Sequence, residues 1–92
     1  MAHQDLLREI SKLIAAIDRT WKEELGEPEA SLSEKALRLT ERLFRSLKQE
    51  KLPPDFISLH SEVGAHWLES HPWAKPYVER IDSALASLNN NP

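Results

Sequence analysis

Three histidines, His60, His66 and His71, fall in the stretch from Pro53 to Pro76, beside Glu62, Glu69, Trp67 and Trp73. Imidazole and carboxylate groups at close spacing bind metals or move protons, so chemistry is sought here first. The spacing does not favour it. A zinc pair on one helix needs ligands three or four residues apart, whereas these histidines are six and five apart. Glu62 and His66 are the one i,i+4 pair of ligand types in the stretch, and such a pair also arises as a simple surface contact. On a helical wheel His60 falls about 20° from Trp67, and His66 about 120° from His60, so the two point different ways. The wheel predicts a half-buried His60 hydrogen-bonded within the fold and a solvent-facing His66, with His71 near a helix end.

Other catalytic patterns are missing. None of the serines sits in a G-x-S-x-G elbow. Glu24 with Glu27, and Glu79 with Asp82, have the internal spacing of the paired acidic motifs of helical nucleotide pyrophosphatases. They lie far apart in the chain, however, and Gly26 and Pro28 interrupt the first. The arginine-then-histidine spacing of a helical ribonuclease is absent at Arg8, Arg19, Arg38, Arg42 and Arg80. Gly26 and Gly64 are the only glycines, too few for a phosphate loop. The lack of cysteine removes disulfides, thiolate nucleophiles and Cys-based metal sites. The expectation is a protein without catalytic residues or cofactor.

Two surface features stand out instead. Lys35, Arg38, Arg42 and Arg45 follow one another at three, four and three residues, which makes a ridge along one helix. Such a ridge could track a phosphate backbone or dock on an acidic protein surface. Glu34 and Glu41, each four residues before an arginine, favour a solvated, salt-paired face, and a pI of 5.8 argues against nucleic acid. Trp73 lies between Pro72 and Pro76, outside any periodic stripe and near Tyr77. It either caps the end of the fold or, with Tyr77, anchors a partner.

The elements that must carry these residues follow from periodicity. Leu6, Leu7, Ile10, Leu13, Ile14, Ile17 and Trp21 recur at three and four, predicting a helix over about 3–25, with Asp5 as a possible cap and Gly26 as the stop. Ser31 and Glu34 have capping-box spacing, placing a second helix over about 32–51 with Ala36, Leu39, Leu43 and Leu47 as its seam, widened by Leu32, Leu37 and Phe44. Asp55 would cap a third helix over about 56–70, with Phe56, Leu59, Val63 and Trp67 facing inward and Gly64 as its weak point. The two prolines at 72 and 76 make a connector, after which a fourth helix spans about 76–88 and residues 89–92 form a tail. No segment alternates at period two. The predicted fold is all-α, a single-domain four-helix bundle running up-down-up-down.

Ninety-two residues hold one core, and an apolar content of 40 % makes that core thin enough for a homodimer to be considered. The first residues turn acidic and amphipathic within a few positions, unlike a signal peptide, and no apolar run is long enough to span a membrane. A cytoplasmic location is expected. Charge is uneven: residues 32–51 carry six basic and three acidic side chains inside a chain of net charge −3. The function expected is therefore a helical protein-protein interaction module. Nucleic-acid binding through the ridge and metal binding through Glu62 and His66 are the alternatives.

Overall fold

The computed structural model describes residues 3–89. They form five α-helices: α1 (His3–Glu23), α2 (Glu29–Lys48), α3 (Leu59–Val63), α4 (Ala65–Ser70) and α5 (Lys75–Asn89), with a 3-10 turn at Pro72–Ala74 leading into α5. No strand occurs among these residues, as the missing period-two pattern predicts. No helix among them is long and apolar enough to cross a membrane. Residues 90–92, most of the predicted tail, lie outside the described residues.

The two long helices form a hairpin. On α1, Leu6, Ile10, Leu13 and Ile17 are fully buried, while Leu7, Ile14 and Trp21 are half-buried at the edge of the core. The predicted apolar face is thus split lengthwise into a sealed stripe and an edge. Helix α1 stops at Glu23, two residues short of the expected end, and Gly26, at φ 94°, lies not at the helix end but in the following turn, which the Glu27 N–H closes on the Glu24 carbonyl at 2.8 Å. Helix α2 begins three residues earlier than the capping box implies. Ser31 caps nothing; its hydroxyl donates to the Pro28 carbonyl at 3.2 Å, and no side chain caps α2. The helix also ends sooner, at Lys48. Glu50 adopts φ 59°, its N–H bonds to the Leu47 carbonyl, and the Lys51 N–H reaches back to Ser46. That is a Schellman closure with glutamate where glycine is usual, which is why composition did not signal it.

The buried side of α2 also differs from the predicted seam. It comprises Ser33, Ala36, Leu37, Thr40, Leu43 and Leu47. Two polar residues occupy core positions, Leu39 is half-buried and Leu32 is displaced outward. Thr40 is tolerated because its hydroxyl donates to the Ala36 carbonyl at 2.8 Å.

The expected third helix is two short ones. Gly64 sits at φ 87° and ψ 146°, conformational space that residues with a Cβ rarely enter. Its N–H closes α3 on the His60 carbonyl, and its own carbonyl opens α4 by accepting from Leu68. Asp55 is not a cap: it has φ 61°, and the helix starts four residues later at Leu59. Even so, Leu59, Val63 and Trp67 are buried and Phe56 packs half-buried against them, so the inward stripe survives the break. Packing of α5 on α1, and of α3 and α4 on α2, covers one side of the hairpin and builds the core between.

A helix of five residues needs outside support, since nucleation is costly. The support comes from α5. Asp82 accepts from the Leu59 N–H at 2.7 Å and the His60 N–H at 3.0 Å, while Ser58 accepts from the Ser61 N–H at 3.0 Å. Replacing Asp82 with Ala is expected to cost about 1–2 kcal/mol. The amides of Leu59 to Ser61 should exchange with solvent much faster in that variant, whereas α1 amides should follow only the global loss; unchanged local exchange would exclude the capping role.

Candidate functional site

Two places gather side chains of functional type: a polar cluster inside one end of the molecule, and the outer face of the α1–α2 hairpin.

The cluster joins three distant parts of the chain. Glu24 lies in the turn after α1, Ser33 on α2, and His71 caps the C-terminus of α4. Ser33 Oγ donates to Glu24 Oε1 at 2.5 Å and accepts from the Trp67 indole N–H at 3.0 Å. His71 Nε2 meets Glu24 Oε2 at 2.6 Å, and His71 Nδ1 donates to the Trp67 carbonyl at 2.9 Å. The His71 and Trp67 rings stack at 4.8 Å. Ser33 and His71 are buried, and the Glu24 side chain is only 15 % exposed. Burial is the largest single influence on the Glu24 carboxyl and would raise its pKa. The Ser33 hydroxyl, the His71 hydrogen bond and the His71 charge together outweigh it, and the pKa is lowered from 4.5.

Serine, histidine and glutamate in contact invite comparison with a hydrolytic triad, but the wiring is different. A triad runs in series, with serine on one imidazole nitrogen and carboxylate on the other. Here Glu24 bonds both Ser33 and His71 Nε2, while Nδ1 is held by a backbone carbonyl. Ser33 stands 3.5 Å from Nε2, its proton directed to Glu24 and its lone pair to Trp67. The side chain is also sealed, at 0 % exposure, so no substrate carbonyl reaches it. The cluster ties the α1–α2 turn to the end of α4. No buried side-chain polar atom among the described residues lacks a partner.

Trp73 lies over this end. Its ring meets Trp67, His71 and Tyr77 edge-on at 6.0, 6.3 and 6.4 Å, and the residue is 37 % exposed. Tyr77 is half-buried, with the Arg80 guanidinium 5.2 Å above its ring. Arg80 is also held to Glu9 on α1.

The histidine stretch does not gather into a site. His60 is exposed rather than half-buried, because the break at Gly64 ends the helical register that placed it near Trp67. His66 is exposed, as predicted. Glu62 and His66 lie on α3 and α4 respectively, so their spacing is no longer that of one continuous helix. No cluster of three or more potential ligands occurs among the described residues.

On α2, Lys35, Arg38, Arg42 and Arg45 are all exposed. Arg38 is engaged by both neighbouring acids, Glu34 at 3.9 Å and Glu41 at 3.0 Å, and its guanidinium lies 5.8 Å from the Trp21 ring centre. Glu41 thus serves Arg38 rather than Arg45. A shallow groove of about 550 Å³ runs beside this helix, with Leu7, Ala15 and Phe44 among its walls. A second depression continues it past Ile14 to Glu41 and Arg45. The ridge on α2 has a counterpart on α1, where Arg8, Lys12, Arg19 and Lys22 recur at four, seven and three on the face that, with Glu9 and Glu23, the sequence presents as ordinary solvated surface. That spacing places all four on one sector of the helix.

Compared with protein-family models, curated proteins and solved structures, the chain matches none.

Proposed function

We propose that the chain is a non-catalytic helical interaction module, a small cytoplasmic adaptor, regulator or subunit that works by binding another protein. Its architecture is best regarded as an up-down helical bundle whose third helix is split. The observation that carries the reading is the outer face of the α1–α2 hairpin. There Leu7, Ile14, Trp21 and Phe44 stay half-buried because α3, α4 and α5 pack on the other side. A long apolar edge left open between two helices is how helical modules receive a partner. Trp73 and Tyr77 offer a second, smaller contact at the bundle end.

The nucleic-acid reading is weaker because Glu34 and Glu41 engage Arg38 in the middle of the ridge, and on α1 Asp18 engages Lys22 one turn away. The metal reading loses its geometric basis with the split between Glu62 and His66.

A photo-crosslinking amino acid placed at exposed Ser11 in the groove, in cells that make the protein, tests the module reading. The expected result is a discrete adduct with another polypeptide, and little or none from exposed Ser83 on α5. Equal labelling from both positions, or none from either, would refute it.

A further inference from the structure

The groove has a charge character that selects among partners. Its lining runs along α1 from Gln4 to Ala15, about 17 Å or three helical turns. Arg8 and Lys12 line its α1 side and Arg45, next to Glu41, its α2 side, while Lys48 lies over Phe44 and Arg38 over Trp21. Arg8, Lys22 and Arg38 pair with neighbouring acids on their own helices. Lys12, Arg19, Arg45 and Lys48 have no acidic partner within 4.0 Å among the described residues. Lys48 instead rests 5.6 Å from the Phe44 ring centre, its stem over the floor. An apolar trough with unpaired cations on both banks is thus set in a protein whose net charge is −3.

We infer that this groove binds an amphipathic helix of a partner protein, with apolar residues at i, i+3, i+4 and i+7 facing the floor and Asp or Glu on both flanks. The inference rests on the interaction-module reading and names the partner's chemistry. Apolar residues replace water over Leu7, Ile14 and Phe44, while flanking carboxylates pair with Lys12 on one side and Arg45 and Lys48 on the other. A second copy of this chain is disfavoured in the groove, since two such faces would bring like charges together. A nucleic acid or anionic lipid would match the cations but not the apolar floor.

The test is selection of a library of helical peptides of about 16 residues, diversified on all faces, against the full-length protein. Enriched peptides should be amphipathic and acidic-flanked, and should protect α1 and α2 residues around Ser11 and Phe44. The double charge reversal Lys12→Glu/Arg45→Glu should weaken binding about tenfold or more, and Phe44→Ala should do likewise. Raising salt from about 50 to about 300 mM should weaken it several-fold. Enrichment of basic or unpatterned peptides, no enrichment, or indifference to the charge reversal overturns the inference. So does tighter binding through the same cations to duplex DNA or to phosphatidylserine vesicles. The Ser11 adduct separates this from the broader reading: an adduct that persists in the charge-reversed variant keeps the module and removes the acidic helix, whereas loss of every adduct in the unmodified protein removes both.

Discussion

Trp67→Ala is expected to lower the unfolding free energy by about 4 kcal/mol, the largest effect of any single truncation considered. The indole is 2 % exposed, stacks on His71, meets Trp73 edge-on and donates to Ser33. Its removal leaves a cavity between Ser33 on α2, His71 at the end of α4 and Trp73 in the 3-10 turn. A chain of 92 residues has a total stability of roughly 5–14 kcal/mol, so a loss of this size is a large part of the whole. Trp67→Phe separates the two contributions. It retains stacking and most of the volume but takes away the N–H, and about 1–2 kcal/mol is expected. Urea unfolding followed by circular dichroism measures both; a cost below about 1 kcal/mol for the alanine variant would contradict the central placement of this side chain.

The same residue shows what could be read from the chain beforehand. Its place in the Phe56, Leu59, Val63, Trp67 stripe follows from spacing, and a buried indole needs a partner for its N–H. That the partner is Ser33 does not follow, because the two lie 34 positions apart and a helical serine carries no sequence signal of an indole partner. Yet Ser33 and Thr40 occupy the α2 period without interruption, at 33, 36, 40, 43 and 47. Periodicity irrespective of polarity would have placed them inward. Reading by hydrophobic identity chose Leu39 and Leu32 instead, and the structure leaves Leu32 38 % exposed.

Backbone strain was the other hidden quantity. Gly64 was visible as a weak point, but the sign of its φ decides that one helix becomes two, and the three-residue shift in the start of α3 accompanies the positive φ of Asp55. Support for the shortened helix then comes from Asp82 across 23 positions, a link without local signature. On α1 the reverse holds. The cationic sector and the apolar edge beside it are plain in the spacing, but their meaning depends on which side α5 covers, and that is a tertiary fact.

Glu24 carries the second large effect. Glu24→Gln is expected to cost about 2 kcal/mol at neutral pH, because the carboxylate accepts from Ser33 and faces His71 Nε2, and an amide of the same shape replaces a charged acceptor by a neutral one. The pH dependence has a definite sign. The folded carboxyl has its pKa lowered from 4.5, so its contribution is fully present above that unfolded value and disappears as pH falls through the lower folded one. Other carboxylates titrate in the same range, so the informative quantity is the stability difference between the wild type and Glu24→Gln. It should stand at its full size above about pH 4.5 and shrink steadily as pH falls below that value. Urea unfolding of both proteins from pH 7 to pH 3 gives this difference directly. A constant gap across that range would mean that the charge on Glu24 does not hold the end of the fold together. A gap that widens on acidification would reverse the sign and remove the carboxylate from the account.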